Sequence, residues 1–335
     1  MKWIWRGLLA VAAILVIAFL VFRVPDTDPA EMRAKYGNSP SQFLMLENGR
    51  DIHFRDEGPR DAPVIVLLHG SNADLHTWQP WTERLKEDYR VIRFDQRGHG
   101  LTGPAPDDDY SALGFGADID AVTERLGVET FTLAGNSMGG WIAMAYALEK
   151  PWRVDALVLV DAAGAPVERK GGGNIAFTLA GLPVIGDIMS QLLPRSIVER
   201  SLSQSVSNQD VVTKAAVDRY WELARYPGNR SATRKRFSAP RTAFDPAEIE
   251  RIQIPALVMW GREDQLISYE AGEWYAKHLP KATLVSYEGI GHLPMEEAPE
   301  RSATDLRIWL SEALIPPQLP IEEPPSAEPV VTSTS

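Results

Sequence analysis

No cysteine occurs anywhere in the 335 residues. That excludes disulfides, thiolate metal sites, a cysteine nucleophile and a lipid-modified N-terminal cysteine. Histidine is scarce, with six in the chain, so each can be weighed individually. Basic charge is in deficit. The 34 Lys and Arg face 45 Asp and Glu, a formal net charge of -11. Nucleic-acid binding needs a basic footprint, so no nucleic-acid partner is expected. No clustered ligand motif and no internal repeat are visible, and no metal or cofactor is expected.

What is present is an ordinary globular composition, 44% apolar, enough for a sizeable core. The length suits one main domain with an insertion. Two stretches stand outside it. Residues 7–22, GLLAVAAILVIAFLVF, are unbroken apolar sequence. With Trp3, Ile4 and Trp5 the run reaches roughly 20 residues, about 30 Å as a helix, which matches a bilayer core. Arg6 can snorkel, and Trp3 and Trp5 suit the headgroup level. The one A-x-A pattern near the N-terminus, Ala10-Val11-Ala12, lies inside the run, which argues for an uncleaved anchor over a cleaved signal. Residues 1–24 are therefore expected to be a single membrane span followed by a linker over 25–41. Lys2 and Arg6 favour a cytoplasmic N-terminus, with the main domain on the other side, although Arg23, Arg33 and Lys35 weaken that bias. Residues 315–335, rich in Pro, Glu and Ser, read as a solvated tail.

Between them, residues 42–57 read as two strands around a turn at Asn48-Gly49. Short β-rich apolar runs follow at VIVLLHG (64–70), YRVIRFD (89–95), FTLAG (131–135), DALVLVDA (155–162), PALVMWG (255–261) and ATLVSYEG (282–289). Helical patterns fall between most of them, at 79–87, 116–126, 138–149, 269–278 and 297–314. Such alternation predicts an α/β fold: a mostly parallel sheet with helices on both faces, spanning 42–314. It breaks once, between Ala162 and Pro255. NIAFTLAGLPVIGDIMSQLL and DVVTKAAVDRYWELARY look helical there, and so long a connection predicts a lid.

The stretch LAGNSMGGW (133–141) carries the chemistry. Ser137 sits between Gly135 and Gly139, at the junction of a strand and a helix. That is the context of a nucleophile elbow, G-x-S-x-G, which lifts the hydroxyl above the sheet edge. A serine hydroxyl needs a base, and the base needs an orienting acid. The order for this elbow is Ser, acid, His. Downstream lie only His278 and His292. His278 ends a helix and reads as a cap or surface residue. His292, in the glycine-flanked loop GIGHLPMEEAPE, is the expected base. Asp264, in the loop after PALVMWG, is the expected acid, with Asp161 as the alternative. The oxyanion donors are expected to be the backbone N–H groups of Met138 and Ser71, the latter following His69-Gly70. His69 reads as a structural hydrogen-bonding residue.

Taken together, HGSNADLHTW, FDQRGHGLT, GNSMGG, WGREDQLI and GIGHLPMEEAPE resemble the motifs of the α/β-hydrolase superfamily, in order and spacing, from about Phe43 to Leu314. The resemblance implies that Asp95, Arg97, Gly98, His99 and Gly100 are scaffold, with Thr102 in place of the usual serine. It implies a helical cap near 165–240. Serine at the elbow argues against the dehalogenase and epoxide-hydrolase branches, which carry aspartate there. The expected activity is a serine hydrolase acting on an apolar carboxylic ester, a small-molecule acyl substrate. GNSMGG also resembles the carbon–carbon bond hydrolases of ring-fission dienols, but those usually carry tryptophan where Leu293 stands. A catalytically idle binding module is the alternative of another class.

Overall fold

The computed structural model describes residues 2–167, 191–239 and 241–314. Most of the helix expected over NIAFTLAGLPVIGDIMSQLL lies outside the described residues, as does the tail at 315–335.

Eight strands form one sheet: β1 (Gln42–Met45), β2 (Asp51–Glu57), β3 (Val64–Leu68), β4 (Arg90–Phe94), β5 (Phe131–Asn136), β6 (Val154–Val160), β7 (Ala256–Gly261) and β8 (Ala282–Tyr287). Their order is β1-β2-β4-β3-β5-β6-β7-β8. The β1–β2 and β2–β4 pairings are antiparallel and all others parallel. Parallel strands need helices over both faces, so their side chains are apolar in both directions. β3 illustrates this. Val66 and Leu68 enter one apolar cluster with Leu133, Ile142 and Phe115. Ile65 and Leu67 enter the other, with Trp78, Trp81 and Leu306.

The helices are α1 (Lys2–Phe22), α2 (Pro29–Tyr36), α3 (Gln79–Leu85), α4 (Ala112–Arg125), α5 (Met138–Glu149), α6 (Arg195–Ser205), α7 (Lys214–Ala224), α8 (Asn229–Ser238), α9 (Pro246–Ile249), α10 (Tyr269–His278), α11 (Pro294–Glu297) and α12 (Pro299–Ala313). The helix expected over 297–314 is α12, and a separate short helix, α11, precedes it and ends at Glu297, with Ala298 between them. Pro299 lacks the N–H to continue the first, and opens the second, where that N–H would be unpaired anyway. α4 starts earlier than its pattern suggests, because Ser111 caps it by accepting the Gly114 N–H at 3.2 Å.

In α1 the window Trp5–Phe22 has a mean hydropathy of 2.4, and none of it is buried. It is long and apolar enough to cross a membrane. Residues 25–41, expected as a linker, hold α2. Asp28 caps it, and Met32 is buried beside Leu101 and Leu223. Polar bonds hold the rest. Arg33 pairs with Asp51 at 2.9 Å, and Lys35 and Tyr36 reach Glu222 on α7 at 2.6 and 2.7 Å. Just before it, Val24 N–H donates to the Gln191 carbonyl at 2.8 Å, and Thr27 N–H to Arg225 at 3.0 Å. Arg230 reaches the Val24 carbonyl at 2.7 Å and Asp26 at 2.6 Å.

α6 to α8 form the described part of the insertion and sit over the carboxyl ends of the strands. Arg219 on α7 pairs with Asp74 at 3.2 Å and Glu296 at 3.4 Å. Asn229 donates to the Gly100 carbonyl at 3.0 Å.

Asp95, just after β4, fastens three segments. Oδ1 accepts the Leu75 N–H, and Oδ2 accepts the Leu101 N–H, both at 2.8 Å. Oδ2 also meets His53 Nδ1 on β2 at 2.7 Å. Both side chains are fully buried. Asp95→Ala therefore strands a buried imidazole and two N–H groups, at a cost of about 3–5 kcal/mol. A chemical denaturation midpoint corresponding to a loss under ~1 kcal/mol would contradict this role.

Candidate active site

Ser137 occupies the turn from β5 into α5, with φ 54° and ψ -116°. This is a sparsely populated conformation for a residue with a side chain, costing about 1–3 kcal/mol. The surroundings enforce it. Ser137 N–H donates to the Val160 carbonyl at 3.0 Å. Its own carbonyl accepts from Gly140, Trp141 and Ala163 at 3.1, 3.2 and 2.9 Å. The flanking glycines are required by space. A Cβ on Gly135 would strike the Gly139 carbonyl, and one on Gly139 would strike the Leu68 carbonyl. Ser137 is partly exposed, while its neighbours are buried.

The loop after β3 lies directly against this turn, since a Cβ on Gly70 would stand 3.2 Å from the Ser137 Cβ. Ser71 Oγ approaches Met138 Sδ at 3.3 Å. The structure thus brings Ser71 and Met138 together beside Ser137. Met138 is the first residue of α5, where backbone N–H groups have no acceptor within the helix.

His292 lies in the loop between β8 and α11, and Asp264 in the loop after β7. Their side chains meet: His292 Nδ1 and Asp264 Oδ2 are 2.6 Å apart and almost fully buried. Asp264 Oδ1 accepts the N–H groups of Leu266 at 2.7 Å and Ile267 at 3.1 Å. These bonds fix the carboxylate with its free edge toward the imidazole. Asn136, the residue before the serine, donates to the His292 carbonyl at 3.0 Å and to Val160 at 3.2 Å. Nothing in the sequence marks Asn136 out as a residue of the site beyond an amide side chain at the elbow.

The chain matches the family model described as alpha/beta hydrolase fold over residues 63–299. It belongs to that family. It is 28% identical to a bifunctional esterase/perhydrolase of Acinetobacter calcoaceticus over 275 residues, covering 76% of this chain and 95% of that protein. It is 30% identical to a non-heme chloroperoxidase of Streptomyces lividans over 274 residues, covering 78% and 97%. The fold also superposes on a meta-cleavage product hydrolase from Pseudomonas fluorescens with a TM-score of 0.71, at 23% identity, covering 81% and 98%. The protein is a hydrolase.

The remaining histidines of this hydrolase serve the scaffold. Gln96 N–H donates to His69 Nε2 at 3.1 Å, so the ring proton sits on Nδ1 and goes to the Gly70 carbonyl at 2.8 Å. Burial lowers the His69 pKa from the ordinary histidine value. His99 Nδ1 donates to the Arg97 carbonyl at 3.0 Å. Burial, then the nearby Arg236, holds its pKa well below the ordinary value. His278 meets Glu250 at 2.9 Å, at the end of α10.

Asp161, the alternative acid, stands at the end of β6 with φ 44°. Its Oδ1 accepts the Gly261 N–H at 2.9 Å. Metal-ligating atoms of Asp161, Asp264 and His292 lie within 4.8 Å of one another. A cation does not fit this set as it stands, because the short His292–Asp264 bond already occupies the facing donor atoms. Asp161 is also a poor ligand. Its carboxyl is pushed well above the usual carboxylate range, first by burial and then by the charge of Asp264. Two buried carboxyl groups this close do not both ionise.

That shift has a consequence for stability. A carboxyl whose folded pKa is raised costs nothing below its unfolded pKa, where it is neutral in both states. As pH rises above that value, the unfolded chain gains from ionising and the folded one does not. Asp161→Asn removes the difference, so its Tm should exceed that of the parent protein at pH 8 by a margin that shrinks toward pH 4. A margin that stays constant across this range would exclude a neutral Asp161.

Proposed function

We propose that this hydrolase cleaves carboxylic esters with an apolar acyl group through Ser137, His292 and Asp264. The observation that carries the reading is the strained serine at the β5–α5 turn, together with the His292–Asp264 pair in the loops after β8 and β7. Ser137 Oγ attacks the acyl carbon while His292 Nε2 takes its proton. Asp264, bonded to Nδ1, keeps the ring in the tautomer that leaves Nε2 free and stabilises the imidazolium. The N–H groups of Ser71 and Met138 hold the oxyanion. The tetrahedral adduct collapses and the leaving alcohol takes the proton from His292. Water then attacks the acyl-enzyme, with His292 again as base, releasing the carboxylic acid and restoring Ser137.

A series of p-nitrophenyl esters of graded chain length tests the reading, with a ring-fission dienol assayed beside it. Ester turnover should rise with acyl length over the shorter members. Preferential cleavage of the dienol would favour the carbon–carbon hydrolase reading, which uses the same triad. Ser137→Ala should lower kcat by a factor on the order of 10⁶. Asp264→Asn should lower it by about 10⁴, and Asp161→Asn far less. The reverse order for the two aspartates would move the acid to β6. Failure of Ser137 to react with a fluorophosphonate would favour the idle binding module.

α1 is the proposed anchor, with the hydrolase domain on the non-cytoplasmic side. The protein should stay with membranes after high-salt and carbonate washes, because salt screens charge but not apolar burial. A chain beginning at Arg23 should be soluble and keep its activity on small esters. It retains every bond from 24–36 to the domain. A mature N-terminus beyond residue 20, found by mass spectrometry, would identify a cleaved signal instead.

A further inference from the structure

Glu297, at the end of α11, is buried and makes an unusual set of bonds. Its carboxylate accepts the N–H groups of Gly291 at 3.1 Å and Leu293 at 3.2 Å, the two residues that flank His292. It also accepts Ser207 N–H at 2.7 Å and Asn208 N–H at 3.0 Å, from the loop that follows α6 in the insertion. His292 N–H completes the seam by donating to the Ser205 carbonyl at 2.8 Å. The residue before Glu297 joins the same two parts of the molecule. Glu296 accepts from Tyr220 Oη at 3.1 Å, pairs with Arg219 on α7, and bonds Thr77 on the core.

We infer that Glu297 is a positioning residue that holds the His292 loop in register through the edge of the insertion, so that the base is correctly placed only while residues 205–208 are seated. The physical reason is the number of lone pairs. A carboxylate offers about four acceptor sites, and here four N–H groups from two segments share them. Bonds between backbone N–H and an ionised acceptor are about twice as strong as neutral ones. The two loops are far apart in sequence; the carboxylate joins them, and the His292–Ser205 backbone bond runs alongside it. Once joined, a shift of residues 205–208 on substrate entry or product release reaches both amides beside His292. Small displacements of a catalytic group cost rate steeply, on the order of 10²-fold for 1 Å. The inference rests on the reading of His292 as base.

Two variants test it. Glu297→Gln keeps the shape but replaces one acceptor oxygen with a donor NH₂, which faces N–H groups. Asn208→Pro deletes one insertion-side N–H, at a backbone φ of -80° that proline accepts, and with it the Oδ1 that accepts the Asp210 N–H at 3.1 Å; Asn208→Ala, which loses only that side-chain bond, is its control. The measurements are steady-state kinetics on a short soluble ester, and hydrogen exchange over residues 205–208 and 290–293. For Glu297→Gln, kcat should fall roughly 10- to 100-fold with KM within about twofold, and exchange should quicken in both loops. Asn208→Pro should lower kcat in the same direction by a smaller factor and quicken exchange at Gly291 and Leu293, which it does not touch. Unchanged exchange at 290–293 in either variant would overturn the coupling. So would a Glu297→Gln defect confined to KM. His292→Ala, run beside them, separates the two readings. If it keeps its turnover, the base assignment fails, while the exchange result still decides whether the two loops are joined. A folded state is checked by the cooperative melt of each variant. If Glu297→Gln does not fold, the exchange response of Asn208→Pro alone decides the coupling.

Discussion

The strained backbone at Ser137 is the constraint on which the site is built. A residue with φ 54° and ψ -116° does not hold that conformation alone. It is held because α5 approaches β5 too closely for a side chain at 135 and the end of β3 too closely for one at 139, and because β6 supplies the Val160 carbonyl to its N–H. The close approach puts the hydroxyl at the carboxyl edge of the sheet and places the start of α5 behind it. Every other member of the site arrives at that edge by the same logic. A parallel sheet delivers the ends of β3, β6, β7 and β8 to one side of the molecule, and the loops after them meet there.

Asn136 shows how closely the site and scaffold are shared. Its amide bridges β6 and the His292 loop, so the residue next to the serine also holds the loop that carries the proposed base. Asp264 is prepared in the same way, by two backbone N–H groups from its own loop. The histidine–aspartate pair is therefore oriented from both sides before any substrate arrives, which is what electrostatic preorganisation requires.

Much of this was legible in the sequence. The strands are β-branched runs buried on both faces, the strongest signal a parallel sheet gives. The elbow is a local pattern, so Ser137 and Met138 could be read from nine consecutive residues. His292 and Asp264 needed only the order of elements. What could not be read depends on meetings across the chain. α2 is polar, with Met32 as its buried residue, and is fastened by ion pairs to residues far away. Sequence alone leaves Asp161 open as an alternative acid, because it does not tell that this carboxyl lies against Asp264 and Gly261 in the interior. Nothing in the sequence sets Glu297 apart from its acidic neighbours Glu296 and Glu300. Its amide partners at 207 and 208 are 90 and 89 positions away.

The bonds of Val24, Pro25, Asp26 and Thr27 to the insertion also govern how the molecule moves as a whole. Only Arg23 separates the end of α1 from the first of them. Such a junction has no slack, unlike a flexible linker, whose reach grows with the square root of its length. With α1 in a bilayer as proposed, the domain does not swing through a hemisphere of solvent on a long stalk. It travels with its helix and keeps nearly one height above the lipid surface, so that any lipid-borne molecule is met by lateral diffusion in two dimensions.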